Sequence, residues 1–152
     1  MTGTVGREAV QYVLRLSPLW QVRQFLLFRD LDDPDLWLGT DGAGRWGEMN
    51  GAHRPDLDGA HDISLDVTPF TLSLPIRRLP LHVDDRFELS VLAVDVDTLA
   101  VVPRTRAYHR TGTRTWKITD GSADVVVDVE VDEYGLALDV DGMFRRLPAE
   151  VQ

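Results

Sequence analysis

The chain has 152 residues, 43% of them hydrophobic, with no cysteine and a formal net charge of −9. That is enough chain for one domain with a real core. It excludes disulfide and thiolate chemistry, and it argues against a nucleic-acid partner, because phosphate neutralisation needs a basic face. Lys117 is the only lysine among 16 basic residues, so nearly every cation is a planar arginine fork able to grip a carboxylate or phosphate through two bonds.

The N-terminal MTGTVGREAVQYV lacks a basic region followed by an apolar run, so no leader is read there. No apolar stretch approaches the roughly 20 residues of a bilayer span. The expected location is cytoplasmic.

From there the pattern has a period of two. Val10, Tyr12, Leu14 and Leu16 alternate with Gln11 and Arg15, and the chain continues with expected strands at 21–29, 35–40, 44–49 and 62–67. Asp41-Gly42 and Asp58-Gly59 are turn signals, as are Asp33-Pro34-Asp35 and, further on, Asp120-Gly121 and Asp141-Gly142. The longest loop expected is Asn50 to Ala60.

Residues 68–81, TPFTLSLPIRRLPL, carry Pro69, Pro75 and Pro80. The prolines remove ladder donors and rule out a central strand. They also read as too frequent for a helix interior. Phe70, Leu72, Leu74, Ile76, Leu79 and Leu81 nevertheless demand burial. The segment is expected to be a semi-rigid extended crossover laid over an apolar face, with Arg77 and Arg78 at one end.

Strands are then expected at 86–97, 99–109, 113–119, 123–132 and 135–140. Near Ala93 the apolar phase switches from odd positions (Phe87, Leu89, Val91) to even ones (Leu92, Val94, Val96). Either a bulge or burial on both faces accounts for that. No segment shows a helical period. The expected fold class is therefore all-β: one rolled antiparallel sheet of about ten or more strands in a single domain.

Catalytic machinery is not legible. His53, His61, His82 and His109 have no metal-pair spacing. Asp128, Glu130 and Asp132 share one strand face and read as a solvated surface. Asp139-Val140-Asp141-Gly142 lacks the further acidic residues of a calcium loop. The segment RTRAYHRTGTRTWK (104–117) is locally basic and reads first as a partner for the acidic strands, second as an anion-recognising hairpin. Trp20, Trp37, Trp46 and Trp116 sit at strand starts or beside turns, where an amphipathic ring suits a cavity mouth or a core edge.

The string DVTPFTLSLPIRRL resembles the hallmark segment of the bacterial glycolipid-binding family, which reads TPFTNTLPIRRL, with Leu72-Ser73 here in place of Asn-Thr. Tyr12 followed by Trp20 and Arg23, the turn Asp41-Gly-Ala-Gly-Arg-Trp46, Tyr108 and the closing VDEYGLALDVDGMFRRL are also similar to that family, over about residues 5–148. The resemblance implies a spiral β-roll with an apolar interior and non-enzymatic binding of a glycolipid or other lipid-like ligand, with no cofactor and no metal. Trp20, Trp46 and Phe70 are the candidates for apolar lining or gate, Arg77 and Arg78 for the head group, and Tyr108 for a hydroxyl contact. For Arg77 and Arg78 the competing expectation is pairing with Asp66 or the acidic strands. The alternative is an interaction module with a filled core whose sheet edges pair with a partner or a second copy. A hydrolase using two facing carboxylates ranks third.

Overall fold

The computed structural model describes residues 2–5, 10–29, 35–48, 51–65, 70–120 and 125–140. They form eleven strands and one helix: β1 (Thr2–Val5), β2 (Val10–Leu16), β3 (Val22–Arg29), β4 (Leu36–Thr40), β5 (Trp46–Gly47), β6 (Asp62–Leu65), α1 (Phe70–Arg78), β7 (Arg86–Val94), β8 (Val101–Arg110), β9 (Thr115–Asp120), β10 (Val125–Val131) and β11 (Ala137–Val140). A single 3-10 turn, Pro55–Leu57, lies in the long loop. The protein is mostly β, as the alternation predicts.

The strands pair in two sheets rather than one. The first has the order β1-β2-β3-β4-β5 and the second β11-β10-β9-β8-β7-β6. The first is an antiparallel meander whose alternation buries Tyr12, Leu14, Phe25, Leu27 and Leu38 on one face. Strand β1 was not expected; its four residues, TGTV, are too short for a period to show. The expected strand 44–49 shrinks to Trp46–Gly47. The left-handed Gly42 and Gly59 (φ 86° and 94°) confirm their turns. The other three expected turns, the calcium-like stretch and the start of the crossover fall wholly or partly outside the described residues.

Two expectations are corrected. Strands β6 and β7 are parallel, so the structure is not all-antiparallel. The segment joining them is not extended, because Phe70–Arg78 is an α-helix with Pro75 inside it. The two facts have one cause. Parallel neighbours need a crossover, and a helix is the usual one. Pro75 forfeits one backbone bond, yet Leu79 still donates to the Pro75 carbonyl (2.8 Å), and Pro75 is buried. Burial compensates, since Leu74 enters one core and Ile76 another. A helix packed on two sides carries no clean polar face, which is why its period was invisible.

The apolar side chains form two clusters. The first joins the inner face of the first sheet to Leu57, Ala60, Ile63, Leu65, Leu74, Leu92 and Val94. The second joins Ile76 to Leu89, Val91, Tyr108, Trp116, Ile118, Val129, Val131 and Val140. Strand β7 thus serves both. Its register with β8 is unbroken from Arg86↔His109 to Val94↔Val101. The phase switch near Ala93 therefore marks burial on both faces, not a bulge.

Candidate functional site

Helix α1 holds three of the six candidate residues, Phe70, Arg77 and Arg78, and lies between the cores. At its C-terminal end Arg78 grips Asp62 of β6 through two bonds, Nη1 to Oδ1 at 2.6 Å and Nη2 to Oδ2 at 2.7 Å. Asp62 is 1% exposed; it opens β6, all four residues of which are buried. Its hydrogen bonds raise the Arg78 pKa, and burial opposes them. The partner of Arg78 is thus Asp62, four residues before the expected Asp66, which lies outside the described residues.

Tyr108 completes this cluster. It is fully buried, and its hydroxyl donates to the Leu72 carbonyl of α1 at 3.2 Å. Burial pushes its phenol pKa well above the ordinary value, Asp62 adds to the rise, and Arg106 and Arg78 oppose it. Arg106, 7% exposed, stands 3.6 Å from Asp120 Oδ2, and Arg104 reaches the same oxygen at 3.6 Å. The basic hairpin is therefore neutralised partly by its own neighbour on β9 rather than by the acidic strands.

Arg77 points elsewhere. Its guanidinium carbon lies 3.9 Å from the centroid of a Trp20 ring, a close cation–π contact. Its Nε is buried with no hydrogen-bond partner among the described residues. Trp20 itself adopts a left-handed backbone, φ 62°, in a turn where its N–H donates to the Ser17 carbonyl at 2.9 Å. A bulky residue there is strained by about 1–2 kcal/mol. Gly135, also left-handed at φ 79°, lets the chain pass beside Arg77; a Cβ there would stand 3.0 Å from Arg77 Cγ.

Phe70 and Trp46 belong to the first core. Trp46 is 1% exposed and its Nε1 donates to the Ala60 carbonyl at 2.8 Å. Phe70 packs against that core from the first turn of α1. The structure therefore brings Trp20 to Arg77 and Arg78 to Tyr108, and sets Trp46 and Phe70 within the first core. At the departure from the family pattern, Ser73 is fully buried and its Oγ accepts from the Ala137 N–H of β11 at 2.9 Å. Its neighbour Thr71 binds the Leu65 N–H at 3.2 Å.

Sequence reading missed a concavity of about 270 Å³ beside the C-terminal end of α1. Its apolar wall is Ile76, Leu79, Trp116 and Val131, and Arg110 and Arg114 stand over it with Asp132, Glu133 and Gly135 opposite. Arg110 is fixed by donating to the carbonyls of Leu81, Gly112 and Thr113 at 2.7, 3.2 and 2.6 Å, with its guanidinium 5.6 Å from the Trp116 ring. The signal was present in the 104–117 segment, where arginines interleave with Tyr108 and Trp116, but only the fold sets these beside Ile76. Among the described residues no group of three or more His, Asp or Glu is placed to hold a metal, and no helix is long and apolar enough to cross a membrane. His53 pairs with Asp58 at 2.8 Å.

Two sheets packed around one crossover helix define a mostly β protein. The chain belongs to the family described as "Putative glycolipid-binding", whose profile matches residues 1–146. It is similar to a DUF1089 family protein from Pseudomonas aeruginosa, solved by crystallography: 28% identity, TM-score 0.86, over 96% of this chain and 83% of that one. No curated protein matches.

Proposed function

We propose that this protein binds an amphipathic, glycolipid-like ligand and does not transform it. The observation that carries the reading is the concavity at the end of α1, where an apolar wall meets a fixed Arg110 and an exposed Arg114. Its volume of about 270 Å³ is at the lower edge of ordinary ligand pockets, about 300–1,000 Å³, so it would take one end of such a molecule. Gly135 belongs both to that concavity and to the contact with Arg77. A ligand seated there comes close to the Arg77–Trp20 pair, which Gly135 borders. Arg78, Tyr108, Trp46 and Phe70 hold the frame. The family description supports the ligand class.

Native mass spectrometry of the purified protein, followed by denaturing extraction and lipid analysis, tests the reading. A co-purifying amphiphile that disappears in Leu79→Trp, with the melting temperature retained, is the expected result. An apo mass, with no thermal stabilisation by a panel of glycolipids and fatty acids, would refute it and leave the interaction module.

A further inference from the structure

The outer face of the first sheet carries a second concavity that the reading above does not use. Four strands present one cross-strand row there: Arg15 of β2 pairs with Gln24 of β3, Gln24 with Gly39 of β4, and Gly39 with Gly47 of β5. Directly paired antiparallel residues point to the same face. The row is thus two long polar side chains followed by two positions with none. Trp37, two residues along β4 and so on the same face, leans over the first gap. A Cβ on Gly39 would stand 2.8 Å from the tip of its six-membered ring. The result is an open cleft of about 470 Å³, walled by Trp37, Arg15 and Gln24 with Glu48 at the far side.

The polar groups are poised rather than spent. Glu48 is engaged by Arg54 at 3.0 Å. Arg23, at the rim, donates to the Asp41 carbonyl at 2.8 Å. The side chains of Arg15 and Gln24 and the Trp37 indole N–H have no hydrogen-bond or ion-pair partner among the described residues. On a molecule of net charge −9, this cleft has Arg15 as its uncommitted charge.

We propose that the cleft is a binding site for a pyranose ring bearing an acidic group. The ring's C–H face packs against Trp37 over the glycine floor, its hydroxyls bond Gln24 and the indole N–H, and its anion meets Arg15. An amphipathic aromatic ring beside donors suits such a ligand, and an arginine fork matches a carboxylate or phosphate in two-bond geometry. The site stands on the first sheet and is independent of the amphiphile reading at α1.

The test is a titration of the uniformly ¹⁵N-labelled protein with methyl glucuronide and, in parallel, methyl glucoside. It follows the four indole N–H resonances, with Trp37→Phe assigning that of Trp37. The expected result is a saturable shift of the Trp37 resonance by the glucuronide, weaker by about fivefold for the neutral glucoside, since an exposed ion pair contributes up to about 1 kcal/mol. Trp37→Ala should abolish binding, Gly39→Ala should weaken it by displacing the indole, and Arg15→Ala should erase the preference for the acid. These outer-face variants should keep the wild-type melting temperature. Should neither sugar move the Trp37 resonance, or should sugar binding persist undiminished in Trp37→Ala, the proposal falls. The amphiphile assay on Trp37→Ala separates the two readings, because a bound amphiphile there leaves the α1 site standing whatever the sugar result.

Discussion

The two cores are built from the same kinds of strand and differ in what surrounds them. The first closes Leu14, Phe25, Leu27, Leu38 and Trp46 against the β6–β7 pair, and Trp46 settles its one polar atom on Ala60. The second packs Tyr108 and Trp116 beside the Asp62–Arg78 pair and Arg106, and opens at one end onto the α1 concavity. The difference teaches where stability and recognition are separable. A core of satisfied apolar side chains contributes mainly through the volume it fills, whereas a core bordered by buried charge depends on each partner being present.

Asp62→Ala should show this most strongly. It strands the Arg78 guanidinium and should cost about 3–5 kcal/mol, read by urea denaturation. The double change Asp62→Leu with Arg78→Met should recover most of that loss. If the single change proves mild, the second core does not depend on the pair and the contrast fails.

Leu74→Ala and Ile76→Ala, two positions apart on α1, divide the cores directly. Each should lose about 2–5 kcal/mol. Only Ile76→Ala, which alters the wall of the concavity, should also change amphiphile retention by native mass spectrometry. Equal effects on retention would mean that the cores are not distinct in function.

Tyr108 gives a pH test. Its phenol pKa is raised by burial in the folded state. Below about pH 10 the phenol is protonated in both states. Above it the unfolded chain ionises while the folded one keeps its proton, so stability should fall as pH rises. Tyr108→Phe should flatten that alkaline slope in denaturation midpoints and cost about 1 kcal/mol at neutral pH for the lost bond to Leu72. An unchanged slope would remove Tyr108 as the cause.

Gly135→Ala should also be mild, about 1–2 kcal/mol from the left-handed backbone, with a further loosening of Arg77 visible as a changed environment of Trp20 in fluorescence. A silent substitution would show that Arg77 is not held from that side.

Much of this was legible in the sequence because a sheet with one buried face writes its period plainly. The strands around Leu14, Phe25, Leu89 and Val129 fall where the alternation puts them. The proline-rich segment itself placed Arg77 and Arg78 at one end of the crossover, and they close α1. The helix was lost because Leu74 and Ile76 face different cores and Pro75 sits between them, so neither a stripe nor a propensity signalled it. Thr68-Pro69 before an apolar run is a helix-start pattern, and it was outweighed by the later prolines. The buried role of Asp62 was hidden because an acid at the start of a strand reads as exposed, whereas all four residues of β6 are buried. The concavity walls come from residues 76 to 135, a separation over which sequence spacing carries no geometry.

Strand β7 gives Val91 to one core and Leu92 to the other. Adjacent residues on a single backbone cannot melt independently. The two clusters therefore form one cooperative unit, and loss of packing on either side of β7 is felt at once on the other. Heat or denaturant should find a single transition in this protein, and occupancy at the α1 concavity should raise the protection of amides as far away as the first sheet.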